Sequence, residues 1–199
     1  MTEVSQKLLD STSVLVPFTR NYADELHASE VSRILKLPQR TVARKLEILQ
    51  KSNLLNYRRD GRNKYFFLDL KQSLTFSLLE LLECYKELDF SLKNPQVSLL
   101  LEELAANYSI ILFGSYAKGR AKKDSDIDLV IFSNEKKKIN EIIKKYHFEV
   151  NAHYVNLSLL KKRMKNDWPL AKEIVKDHIL FGEKGKIIKA VIDYCKRRS

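Results

Sequence analysis

Cysteine, glycine, proline and long apolar runs are all scarce in this sequence. The two cysteines, Cys84 and Cys195, stand far apart, each in a helical apolar pattern. That spacing argues against a disulfide framework or a Cys-based metal site and predicts two reduced packing residues. The four histidines, at 27, 147, 153 and 178, show no zinc spacing. No stretch approaches the ~20 apolar residues of a membrane span. The N-terminus lacks the basic and apolar halves of a secretion signal. A reducing cytoplasm and no membrane are therefore expected. Only five glycines and four prolines punctuate 199 residues, and there is no repeat and no low-complexity segment.

What the chain has is positive charge: 36 Lys and Arg against 25 acids, a net +11. A basic surface suits a polyanion such as nucleic acid or nucleotide phosphate, unless the charge serves only solubility. Its placement is informative. From Val31 to Lys64 there are ten Lys or Arg against Glu47 and Asp60.

That basic stretch follows a residue 3–20 segment with a helical pattern blurred near Pro17. Val31, Ile34 and Leu35 give a short helix, which Leu37-Pro38 breaks. A second helix is predicted from Gln39 to about Lys51, with Val42, Leu46 and Leu49 inward. Its other side carries Gln39, Arg40, Thr41, Arg44 and Lys45. Two strands, Leu54 to Arg59 and Lys64 to Leu70, flank Asp60-Gly61-Arg62-Asn63, a hairpin signal. Helix, turn, helix and hairpin resembles the winged helix-turn-helix of many prokaryotic transcription regulators. The resemblance implies a recognition helix in the major groove of double-stranded DNA, aided by wing residues Arg58, Arg59, Arg62 and Lys64. Docking to protein is the alternative use of such a module.

Residues 72–94 read as a long linker helix. Leu74, Leu78, Leu81, Tyr85, Leu88 and Leu92 alternate spacings of four and three, the seam of a coiled pair. Packing on the chain itself and homodimer formation are both open. Asn94-Pro95 marks a boundary, giving expected segments 1–71, 72–94 and 95–199.

In the last segment, the apolar run Ile110 to Phe113 reads as a buried strand. Gly114-Ser115 then turns sharply into a short helix, whose free N–H groups suit an anion. Asp126 and Asp128 open a second strand to Phe132, and residues i and i+2 share a face. Two carboxylates on one side suit hard cations. A helix from 134 to 145 follows, then a strand from Phe148 to Val155. Residues 157–177 read as mainly helical with a break at Trp168-Pro169. A short closing strand and a final helix, Lys186 to Arg198, complete the chain. Ile188, Val191, Ile192 and Cys195 of that helix turn inward.

The string Gly114-Ser115-Tyr116-Ala117-Lys118-Gly119 through Ser125-Asp126-Ile127-Asp128 resembles the signature of DNA polymerase beta-like nucleotidyltransferases, especially their minimal domains. Lys118 stands where Arg is frequent. The resemblance implies an α/β (α+β) fold with a small mixed sheet and flanking helices. It further implies attack by a hydroxyl on the α-phosphate of an NTP, with ATP favoured, and release of pyrophosphate. Gly114, Ser115, Lys118 and Ser125 would bind the nucleotide. Asp126 and Asp128 would hold two Mg²⁺ (or Mn²⁺), one acidifying the hydroxyl and one stabilising the departing charge. Active members carry a third carboxylate on the next strand. Here Asn151 falls at that position, with Glu149 one pleat away, so both join the catalytic candidates.

Two readings follow. One is an active nucleotidyltransferase brought to its target by the winged helix. The other is a DNA-binding regulator whose second domain is degenerate or only senses nucleotide. A partner protein's hydroxyl, as in antitoxins built on the same minimal domain, is a further acceptor class, and a small molecule another.

Overall fold

The computed structural model describes residues 6–7, 10–165 and 169–196, with side chains for all of these except 164 and 165. It forms two units, Met1–Leu82 with Cys195–Ser199, and Glu83–Tyr194. Each is described by itself.

In the first unit, Thr12–Thr19 is a 3-10 helix with Pro17 inside it. Part of the helical pattern at residues 3–20 lies outside the described residues; where the chain is described around Pro17, the tighter 3-10 form replaces the expected amphipathic helix. Strand β1 is only Leu26–His27, followed by helix α1, Ala28–Leu35. His27 caps that helix: its ring accepts from the Ser29 N–H, and Glu30 Oε2 accepts from the His27 N–H at 2.7 Å. Such a reciprocal cap satisfies two otherwise unpaired donors. Lys36 in a left-handed conformation ends the helix. Helix α2, Gln39–Lys51, buries Val42, Leu46 and Leu49.

The hairpin strands are β2, Leu55–Asp60, and β3, Asn63–Leu68. Only Gly61 and Arg62 lie between the paired ends Asp60 and Asn63. Gly61 takes a φ of 57°, and Gly at the first central position suits a two-residue hairpin turn. β1 adds to β3 as a third antiparallel strand through Leu26↔Phe66 and His27↔Tyr65. The sequence reading gave no strand there, because two residues carry no alternation. Leu55, Phe66 and Leu68 are buried with the inward residues of α1 and α2.

Helix α3 runs over Ser73–Lys93. Leu74, Leu81, Tyr85, Leu88 and Leu92 of its four-three seam are exposed, while Leu79, Leu82, Glu83 and Phe90 are buried. The chain therefore uses a different stripe of this helix from the one with coiled-coil spacing. Cys84 is exposed too, whereas Cys195 is buried. Packing was expected of both thiols, and only Cys195 packs.

The second unit continues with α4, Pro95–Ala105, β4, Ile110–Phe113, and the short helix α5, Gly114–Ala117. Then come β5, Ile127–Phe132, α6, Lys136–Ile143, β6, Val150–Val155, α7, Leu157–Lys165, and α8, Pro169–Lys176. Strand β7, Ile179–Phe181, and helix α9, Gly185–Cys195, close the fold. Trp168, the first half of the expected helix break, lies outside the described residues. The strand order is β6-β5-β4-β7. The β5–β6 pair is parallel, and the other two pairs are antiparallel. This is the mixed α/β architecture expected from the sequence.

Paired residues point to the same face of a sheet. On one face Ile110, Leu112, Leu129 and Ile131 pack with Leu100, Leu104 and Ile139 in the main core. The register puts Ile111, Val130 and His153 in one row on the other face, and Phe113, Asp128 and Asn151 in the next. The core of the sheet is thus apolar at β4, and its second face becomes polar toward β6.

A buried charged group lies elsewhere in this unit. Glu83 Oε1 is 2.9 Å from Lys86 Nζ and 3.3 Å from His178 Nε2. The other ring nitrogen of His178 is 2.7 Å from the Ile174 carbonyl. Burial pushes the Glu83 carboxyl up, but Lys86 and His178 outweigh it and hold it at about 2. The histidine pattern gave no hint of this, since the partners are far apart in sequence.

Among the described residues, no helix is long and apolar enough to cross a membrane.

Candidate functional site

β4 ends at Phe113, and the chain turns at Gly114 with a φ of 72°. A Cβ at Gly114 would lie 2.0 Å from Asp128 Oδ2. Glycine is therefore required twice, by the left-handed backbone and by the carboxylate pressed against it. Ser115 and Lys118 follow in α5 and at its C-cap, both part-buried.

Asp128 lies on β5, and Asp126 sits just before that strand, which starts at Ile127 rather than Asp126. Ile127 between them is fully buried and anchors the segment, so both carboxylates turn to the same side. Asn151, opposite Asp128 in the parallel register, joins them. Its amide nitrogen donates to Asp126 Oδ2 at 3.2 Å and to Asp128 Oδ1 at 3.3 Å. One neutral NH₂ thus separates two like charges by hydrogen-bonding both.

Glu149 precedes β6 and is exposed, and its carbonyl accepts from the Ile127 N–H at 2.8 Å. Among the described residues, no three His, Cys, Asp or Glu side chains cluster as a metal-binding group. The structure brings Asn151, not Glu149, to the two aspartates. Two hard carboxylates suit a divalent cation, and an Asn amide can turn its oxygen inward as a neutral ligand. The donor set therefore fits Mg²⁺, with one charge fewer than three carboxylates would supply.

Ser125 Oγ accepts from the Lys122 N–H at 2.8 Å, so this side chain shapes the loop before Asp126. Lys118 Nζ lies 3.6 Å from Glu173 Oε1 on α8. His153 continues the polar row along β6, with its ring centroid 6.0 Å from that of Phe113.

The nine expected DNA-contacting residues of the first unit separate into two sets. Lys45 Nζ donates to the Asp10 carbonyl at 2.5 Å. Arg58 pairs with Glu25 and lies over the Tyr65 ring. Lys64 pairs with Glu47 at 2.7 Å and stands 3.9 Å above the Tyr57 ring centroid. These three cations brace the unit. Gln39, Arg40, Thr41 and Arg44 on α2, with Arg59 on β2 and Arg62 in the turn, are exposed. The sequence reading placed all nine in one group, because neither Glu25 nor Glu47 announces its partner.

Residues 96–181 match the family described as nucleotidyltransferase domain. The probable protein adenylyltransferase MntA of Haemophilus influenzae is 49% identical over 39 residues, 20% of this chain and 34% of that protein. The chain thus spans about a third of the length of that curated relative. No solved structure matches. The matched residues 96–181 carry the Gly114 turn and the Asp126–Asp128 pair, so it is this segment that is similar to a nucleotidyltransferase domain.

Proposed function

We propose that the chain transfers a nucleoside monophosphate from an NTP to a hydroxyl, and that its first unit is a winged helix that carries it to double-stranded DNA. The observation that carries the transfer reading is the Asp126–Asp128 pair, gathered by Asn151 against Gly114. The relative's description as a probable protein adenylyltransferase favours ATP as donor and a protein hydroxyl as acceptor.

In this reading Asp126 and Asp128 hold the divalent ions, Mg²⁺ first. When bound, these ions neutralise phosphate charge and acidify the attacking hydroxyl. Gly114 leaves room for Asp128, and the Ser115 turn with Lys118 orients the triphosphate. Positioning and charge neutralisation are most of what such a site needs from its protein. The acceptor oxygen bonds to the α-phosphorus, the bridge to the β-phosphate breaks, and pyrophosphate leaves. The proton goes to solvent, because Asn151 cannot accept it as a carboxylate would.

That neutral Asn151 favours a second reading, a domain that binds Mg²⁺ and ATP without turning it over and so senses nucleotide for a DNA-bound regulator. One experiment addresses both. ATP is titrated calorimetrically with Mg²⁺ into wild type and the Asp126→Asn/Asp128→Asn double variant, and labelled AMP transfer is followed in parallel. Metal-dependent binding lost in the variant, with transfer, supports the enzyme. Binding without transfer to any offered acceptor supports the sensor. No binding by folded wild type refutes both.

DNA contact in this proposal falls to Arg40, Arg44, Arg59 and Arg62, with Gln39 and Thr41 beside them. Lys45, Arg58 and Lys64 act mainly by holding the unit together.

A further inference from the structure

The polar row on β6 runs on into a cleft of about 810 Å³ lined by His153, Arg163, Pro169, Leu170 and Glu173. His153 and Asn151 are two residues apart on one strand and so share a face. They are separated by ~6.6 Å at strand rise, about the reach of a ribose from its α-phosphate. Glu173, which also lines the cleft, lies 3.6 Å from Lys118, the C-cap of α5. The cleft thus includes a residue of the strand that bears Asn151 and, in Glu173, the partner of the Lys118 that caps the helix starting at Gly114.

We infer that this cleft seats the nucleoside end of the donor, with Glu173 as the residue that selects a base bearing an exocyclic amino group. The inference rests on the transfer reading and adds the place where the base sits and the residue that reads it. The wall chemistry fits. Pro169, Leu170 and the His153 ring give flat, partly apolar contact for a base. Glu173 is half exposed and accepts hydrogen bonds only. A carboxylate there accepts one N–H of the adenine amino group. It faces a carbonyl oxygen at the corresponding position of uracil, where two acceptors meet without a donor. Lys118 is free to exchange partners: at 3.6 Å its pair with Glu173 is long and part-solvated, and a triphosphate offers it more charge. Binding would then release Lys118 to phosphate and leave Glu173 to the base.

The full chain is titrated with ATP, UTP and inorganic tripolyphosphate at fixed Mg²⁺, as wild type, Glu173→Gln and Leu170→Ala. ATP should bind about tenfold tighter than UTP to wild type, the scale of one charge-assisted hydrogen bond in a half-exposed site. Glu173→Gln should bring the two within about twofold, because an amide can turn either edge to the base. Tripolyphosphate should bind Glu173→Gln as tightly as wild type or tighter, since Lys118 has lost its competitor. Leu170→Ala should weaken ATP several-fold and leave tripolyphosphate unchanged. If tripolyphosphate and ATP both bind wild type but neither variant alters ATP relative to UTP or tripolyphosphate, the cleft assignment is wrong and the transfer reading stands. If folded wild type binds neither, the transfer reading falls and takes this inference with it.

Discussion

Asn151 and Asp128 face each other across the parallel β5–β6 pair, and the Asn151 amide donates to Asp128 Oδ1 at 3.3 Å. The same nitrogen donates to Asp126, so a neutral side chain stabilises a pair of anions at the place where a third anion would repel them. Asn151→Asp removes that donor and adds a charge. Without metal the variant should lose about 2–4 °C in thermal midpoint, the scale of ~1 kcal/mol in a chain of this size. Mg²⁺ should restore the loss and bind more tightly than to wild type. Melting curves in chelator and in Mg²⁺ check this, and a variant indifferent to metal would argue against cation binding at the pair.

Gly114 and Gly61 share a left-handed φ, but only Gly114 has a neighbour in the way. Alanine at either position should cost roughly 1 kcal/mol through the backbone. Gly114→Ala must in addition displace the Asp128 carboxylate, so it should abolish Mg²⁺-dependent ATP binding. Gly61→Ala should bind ATP like wild type. Calorimetry on the two variants separates strain from crowding.

Glu83 carries a pH dependence with a definite sign. Its folded-state value of about 2 is below the ordinary 4.5. The stabilisation is therefore complete above about pH 4.5 and is lost as pH falls toward 2. Glu83→Gln removes the negative charge that faces Lys86 and His178 and should cost about 3–5 kcal/mol near pH 7, as breaking a buried ion pair does. Denaturant unfolding at a series of pH values should show the gap between wild type and variant closing toward pH 2.

The division of basic residues can be read from salt dependence. Arg40→Ala and Arg44→Ala should each weaken duplex DNA binding and reduce the slope of log K against log salt by about one. Lys64→Met should leave that slope nearly unchanged and lower the melting temperature, because it removes the Glu47 pair and the Tyr57 contact. Equal slopes for all three variants would contradict the assignment.

Thiol labelling tests the two faces of the fold. Burial pushes Cys195 up to about 11, while Cys84 is exposed. At pH 8 one thiol per chain should react promptly and the second only on unfolding. Cys84→Ser should abolish the fast phase.

What the sequence by itself determined is what short range decides. Alternation along a strand put Asp126 and Asp128 on one side of buried Ile127. A glycine marked the Gly114 turn, Asp60-Gly61 marked the hairpin, and apolar spacing chose Val42, Leu46 and Leu49 as the inner side of α2. Each depends on neighbours within a turn or a pleat. The tertiary structure decided the rest. Register across β5 and β6 brought Asn151 rather than Glu149 to the aspartates. Pairing with β3 made a strand of Leu26–His27, which has no pattern of its own. On α3 the four-three seam was legible, but the chain buries another stripe, since the surroundings choose between two apolar faces. Glu83 with His178, Lys64 with Glu47 and Arg58 with Glu25 are contacts between distant parts of the chain. Charge in a sequence gives the number of cations, and only the fold decides which of them already have an anion within reach.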